Sequence, residues 1–253
     1  MKNTQTAQKR DLTVRIAENQ LEIEKALSLR YNVFNLELGE GLPQSREAQK
    51  DRDEYDLYCD HLIVVDQAND NEVVGTYRLL RKSTALANSG FYSESEFILG
   101  NVYHIQGEIA EIGRSCVHPD YRDGSVISLL WIGLGRFMKD HDVKFLMGCG
   151  SVHSTDSENA SRIYSYLKLK DGLEETLRII PLPTHRIDGF DPNLKLEDEK
   201  TAAKSIPPII KGYLRAGAKI CGEPAIDRTF GTIDFFLFFN RDNIDARYGR
   251  HYL

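Results

Sequence analysis

The sequence predicts an α/β fold in which a mixed central sheet is covered by helices on both faces. Three observations predict it. Runs with strand and helix periods alternate along the chain, two strand-like runs are apolar enough to be central, and the clearest helix, VISLLWIGLGRFMKDHD, carries an apolar face. Hydrophobic residues at 41% and charged residues at 28% supply a core and a soluble surface for a chain of 253 residues.

Residues 1–10 read as a loose tail, followed by one domain over 11–253. LTVRIAEN alternates like a first strand. QLEIEKALSLRYNVFNLEL has helical spacing, and the polar loop GEGLPQSREAQKDRDEYD after it is too long for a plain connection. HLIVVDQANDNEVVGTYRLLR is a hairpin around an Asn/Asp turn. GEIAEIGRSCVHP gives the next strand, DVKFLMGCGSV a buried one, and Ser154, Thr155 or Asp156 caps the helix SENASRIYSYLKL. Residues 181–205, with prolines and the charged run KLEDEK, read as a surface insertion. PPIIKGYLRAGAKI is then a proline-entered helix and TIDFFLFF a last strand.

Composition excludes several classes of function. A net charge of −6 argues against non-specific nucleic-acid binding. The cysteines and histidines form no metal-ligand spacing, so no metal is expected. The N-terminal residues carry no apolar stretch of a signal peptide or anchor, and no window is apolar enough to span a bilayer. The expected place is the cytoplasm, with room for peripheral contact at the inner face of the membrane.

Glu111 and Arg114 stand in a strand that should be central. They share a face only if a bulge intervenes, and Gly113 makes one feasible. Such charges are either a structural ion pair or a general base with an anchor, since burial raises a carboxylate's pKa toward that of a useful base. The turn containing Arg122, Gly124 and Ser125 opens a helix, where free N–H groups can seat one phosphate. Asp51, Asp53 and Asp56 lie in the long loop, as a solvated charge run or as a receptor for an amine. Lys211, Arg215 and Lys219 recur every four residues. They are either solubilising residues or a patch that docks an acidic carrier protein, with Arg241, Arg247, Arg250 and His251 adding positive charge beyond them.

The runs EIGRSCVHPDYRDGSVISLLW, FLMGCGSV and PPIIKGYLRAGAKICGEPAIDRTFGTIDFFLFF, with RYGRHYL, closely resemble the ornithine-lipid N-acyltransferases. The resemblance implies a GNAT-like fold, an acyl or 3-hydroxyacyl chain delivered by acyl carrier protein, and acylation of the α-amine of ornithine to a lyso-ornithine lipid. It implies no permanently bound cofactor. A more distant resemblance is to the acyl-homoserine-lactone synthases. It matches Arg30, Phe34, Asp51, Asp53, Asp56, Arg78, Glu111 and Arg114 to that family's functional positions, although the tryptophan expected after Phe34 is missing. Positions 125 and 127, which are glycines in CoA-binding GNAT proteins, are Ser125 and Ile127 here. That departure favours acyl carrier protein over CoA, with acyl-CoA as the alternative donor.

The mechanism expected is direct attack of an amine on the thioester. Glu111 takes the proton, Arg114 orients Glu111 or the substrate carboxylate, and Asp53 and Asp56 hold amine groups. N–H groups near Cys116 and Val117 polarise the carbonyl, and Tyr164 protonates the leaving thiolate. The competing readings are an N-acyltransferase for another amine and a non-catalytic lipid- or carrier-binding module.

Overall fold

Short polar signals set the element boundaries in the computed structural model, which describes residues 10–41 and 44–244. Strand β1 (Leu12–Ile16) leads to helix α1 (Gln20–Arg30), whose first turn is capped by the Asn19 side chain accepting from the Glu22 N–H. The helix runs on into a π-helical turn, Tyr31–Glu37. After the short α2 (Ser45–Ala48), β2 (Asp60–Asp66) and β3 (Glu72–Arg81) form the predicted hairpin. Asp70 and Asn71 both have positive φ, 48° and 52°, as a tight hairpin turn requires.

Next come α3 (Lys82–Leu86), a 3-10 turn at Tyr92–Ser95, β4 (Phe97–Ile98) and the long β5 (Glu108–Val117). Helix α4 (Ser125–Asp140), β6 (Val143–Val152) and α5 (Ser157–Leu169) follow, the last capped by Asp156. The remainder holds β7 (Leu173–Glu174), β8 (Ile180–Pro181), α6 (Glu199–Ser205), α7 (Pro208–Ala216), β9 (Lys219–Cys221), β10 (Ala225–Asp227) and β11 (Thr232–Asn240).

The main sheet has the order β1-β2-β3-β5-β6-β11-β9-β7, with β10 on β11. Neighbours are antiparallel except for β5 with β6 and β7 with β9. Side chains alternate across the strands, so the faces bury different partners. On one face Ala110 and Leu146 pack with Leu130, Leu134 and Met138 of α4. On the other, Ile109, Met147 and Phe236 pack with Phe91 and Phe97, while Ile63 and Cys116 pack beneath α1.

Three expectations need correction. The helix predicted over residues 207–220 stops at Ala216, where Gly217 at φ 113° reverses the chain, so Lys219 belongs to a strand. Arg10, placed in the tail by sequence, is tied down by Asp123 at 2.5 Å and lies over the Tyr121 ring. The 181–205 segment is more than exposed chain: it holds α6, whose Ala202 is fully buried.

Candidate active site

The central parallel strands come apart halfway along. Pairing of β5 with β6 runs from Glu108↔Val143 to Glu111↔Met147 and then ends, although β5 continues to Val117 and β6 to Val152. Their outer edges remain paired with β3 and β11, so the edges facing each other lack a strand partner. Glycines line the parting: a Cβ on Gly148 would sit 2.3 Å from the Ile112 carbonyl oxygen of the facing strand, and one on Gly150 would strike Leu237 at 2.6 Å. A cavity of about 310 Å³ opens there, lined by Ile112–Ser115 from one strand and Gly148–Ser151 from the other.

The cavity passes through the sheet and differs at its two ends. On the α4 and α7 side the walls are apolar, with Trp131, Leu134, Met138, Tyr213, Leu237 and Phe239. On the other side they are charged, with Arg78, Glu96, Glu111, Arg114, Asp227 and Asp234. The apolar TIDFFLFF run therefore contributes to both ends: Leu237 and Phe239 line the greasy part, and Asp234 the acidic part.

The expected bulge is present in β5, where Arg78 pairs with Gly113 but Thr76 with Cys116. Arg114, rather than Gly113, takes the left-handed conformation, at φ 49°. Strained backbone of this kind persists only where its surroundings hold it. The bulge turns Arg114 onto the Glu111 face but does not pair the two. Arg114 Nε lies 3.3 Å from Asp51 and Nη2 3.6 Å from Asp53, and Nη2 donates to the Tyr92 hydroxyl at 3.4 Å. The expectation that Arg114 orients Glu111 is thus corrected.

The acidic loop is a buried framework. Arg30, only 1% exposed, donates from Nε to Asp51 at 2.7 Å and from both terminal nitrogens to Asp56 at 2.6 and 3.2 Å. Arg78 donates to Asp53 at 2.5 Å. Burial alone would raise the Asp56 pKa, but the Arg30 guanidinium overrides it and holds the carboxyl at about 2. Three guanidinium groups thereby balance three carboxylates. Of the residues matched to substrate contacts, Phe34 and Arg78 line the cavity. Arg30, Asp51, Asp53 and Asp56 stand behind its wall, so a direct grip of Asp53 and Asp56 on an amine is not what the geometry offers.

Glu111 faces the cavity and caps the 3-10 turn. It accepts from the Tyr92 N–H at 2.7 Å, the Ser93 N–H at 2.8 Å and the Ser93 hydroxyl at 2.5 Å. Burial raises its pKa, and these donors oppose the rise only in part. Glu96, Asp227 and Asp234, not singled out from sequence, complete the acidic end. For Asp234 the available signal was an isolated acid inside the apolar run TIDFFLFF, whereas Glu96 sits in the polar stretch SESE and carried no such signal. His153, hydrogen-bonded to Glu40 at the exposed rim, was also missed.

Other expected positions lie elsewhere. Tyr164 packs edge-on against Phe190 in the core beside α5 and does not line the cavity. Arg122 is held by Glu37 in a two-pronged pair at 2.6 and 2.7 Å, and Ser125 donates to Asp123 from its N–H and hydroxyl. Gly124, at φ 97°, starts α4. Of the basic stripe, Lys211 and Arg215 are on α7, whereas Lys219 reaches Asp171 at 3.1 Å from β9. Arg241 is described and lies 3.8 Å from Asp142; Arg247, Arg250 and His251 lie outside the described residues. Cys116 is buried under α1, with its thiol pushed up to about 12, which leaves no nucleophilic thiolate. Cys116 and Val117 do not line the cavity, whereas Ile112–Ser115 do.

Comparison with known proteins agrees with this architecture. A family model described as an acetyltransferase (GNAT) domain matches residues 29–132. The L-ornithine N(alpha)-acyltransferase of Agrobacterium fabrum is 37% identical over 250 residues, covering 95% of this chain and 85% of its own length. That of Brucella abortus is 35% identical, covering 95% and 88%. Among solved structures, an N-acyl amino acid synthase from uncultured soil microbes has a TM-score of 0.54 at 9% identity, over 97% of each chain. A CoA-dependent acyl-homoserine lactone synthase has a TM-score of 0.52 at 16% identity, over 96% of this chain and 89% of its own. These two structural likenesses establish the fold.

Proposed function

This chain belongs to the L-ornithine N(alpha)-acyltransferase family, and from that premise we propose that it moves an acyl or 3-hydroxyacyl chain from a carrier-bound thioester to the α-amine of ornithine. The observation that carries the reading is the cavity through the split sheet, charged on one face and apolar on the other. An amino acid and a fatty acyl chain want opposite surroundings, and here they would meet where the strands part.

In this scheme the acceptor enters from the charged face, with its carboxylate toward Arg114 and Arg78 and its α-amine at the split. The acyl chain lies among Trp131, Leu134, Met138 and Tyr213, and the thioester carbonyl faces the unpaired edge of Ile112–Ser115, whose N–H groups would receive the developing oxyanion. Glu111 serves as base. Of the two protons the ammonium loses, one goes to Glu111 before attack and one ends on the departing thiol. The donor is an acyl carrier protein, docked near Lys211 and Arg215, with its phosphate displacing Glu37 from Arg122. The framework of Arg30, Asp51, Asp53 and Asp56 holds Arg78 and Arg114 in place.

The test is the full-length protein with acyl-carrier protein or acyl-CoA and a panel of amino acids, the products being identified by mass spectrometry. N-acylornithine formed faster from the carrier-bound donor is expected. Acylation of other amines in preference to ornithine would replace the acceptor, and the absence of any amide product would overturn the reading.

A further inference from the structure

The acidic end of the cavity has more negative groups than the reaction needs. Glu96, Asp227 and Asp234 all line it, and each is more than nine-tenths buried. Among the described residues none of them forms an ion pair with a basic side chain. The nearby guanidinium groups of Arg78 and Arg114 are already engaged by Asp51, Asp53 and Asp56 behind the cavity wall. Oxygens of Glu96 and Asp234 and the sulfur of Cys149 all lie within 4.8 Å of one another.

Internal hydrogen bonds account for only part of this cluster. Asp227 accepts from the Thr229 and Phe230 N–H groups, and Asp234 from the Thr232 hydroxyl. Glu96, only 3% exposed, meets the Asp234 carboxyl side by side and keeps Oε2 without an N–H or hydroxyl partner among the described residues. A buried carboxyl oxygen left unmatched at a cavity wall calls for a donor from outside the fold. Burial, and then Asp234 and Asp227, raise the Glu96 pKa, so these carboxyls repel one another when ionised. A cation would relieve that repulsion.

The position of the cluster limits what that cation can belong to. Ser93 links Glu111 to Cys149: its hydroxyl donates to Glu111 at 2.5 Å and lies 3.6 Å from the Cys149 sulfur, which is within 4.8 Å of oxygens of Glu96 and Asp234. The acidic pocket is therefore about one side chain away from the base at the split. We propose that Glu96 and Asp234, backed by Asp227, form a subsite for a second ammonium group, the one on the acceptor's side chain. The acceptor is then recognised as a diamino acid. Its α-amine is presented to the thioester, its carboxylate faces the arginines, and its far ammonium gives its N–H donors to Glu96 Oε2 and Asp234. This rests on the ornithine reading above and assigns the residues that would enforce it.

A competition assay tests the subsite. Ornithine and norvaline, which differ by the terminal amine, are supplied together to wild type, Glu96→Gln and Asp234→Asn, and the ratio of the two amides is read by mass spectrometry. The ratio does not depend on how much of a variant is folded. Wild type should favour ornithine strongly, and each variant should lower the preference by about 100-fold, because an ammonium facing a neutral amide loses its charged partner. An unchanged ratio in both variants overturns the subsite while leaving the ornithine reading intact. So does a wild type that acylates both amino acids equally, or a preference abolished by a chelator, which would make the cluster a metal site. Failure of wild type to acylate either amino acid overturns both.

Discussion

Two charged clusters share one face of the sheet and differ in a single respect, their balance. The framework cluster sets Arg30, Arg78 and Arg114 against Asp51, Asp53 and Asp56, with charge-assisted bonds as short as 2.5–2.7 Å. The cavity cluster of Glu96, Glu111, Asp227 and Asp234 has no cation within ion-pair range among the described residues. The first cluster has its Asp56 pKa forced down and the second has those of Glu96 and Asp234 forced up. A buried charge that the fold itself neutralises belongs to the scaffold, and one left over awaits a ligand.

The largest effect should come from unbalancing the framework. Arg30→Leu strands Asp51 and Asp56 in the interior and should cost ~3–5 kcal/mol of stability, enough to remove most folded protein. Urea unfolding measures it, and a loss below about 1 kcal/mol would mean that the cluster is solvated. A smaller effect on folding and a large one on turnover should follow Glu111→Gln. The Tyr92 N–H then faces an amide nitrogen, at a cost of about 1–3 kcal/mol, while kcat falls about 100-fold or more. Near-normal turnover by the folded variant would remove Glu111 from the chemistry and leave it as a cap.

The strand and helix order was legible because hydrophobic periods survive in every long element. The hairpin turn and the α5 cap matched their local signals at Asp70, Asn71 and Asp156. The bulge was legible too, since Glu111 and Arg114 could share a face by no other route. What sequence could not show was who pairs with whom. Asp51, Asp53 and Asp56 look like a substrate loop until Arg30 and Arg78, from an α-helix and a strand far along the chain, close on them. Tyr164 has a helix address compatible with a site, and only tertiary packing puts it against Phe190. Glu96 and Asp234 come from segments 138 positions apart (234 minus 96), one in the polar stretch SESE and the other in an apolar run, and no local spacing joins them.

The difference between the clusters is tested most directly by urea unfolding of Asp56→Asn and Glu96→Gln side by side at pH 8 and pH 5. Asp56 has a lowered folded pKa, so its contribution is present above the ordinary carboxylate range and is lost only as pH falls toward about 2. Glu96 has a raised one, so its contribution is intact below that range and drains away as pH rises toward the folded value. Asp56→Asn should therefore lose ~3 kcal/mol at both pH values. Glu96→Gln should gain ~1 kcal/mol at pH 8, and less at pH 5. A Glu96→Gln protein that is destabilised at pH 8, as Asp56→Asn is, would contradict the account.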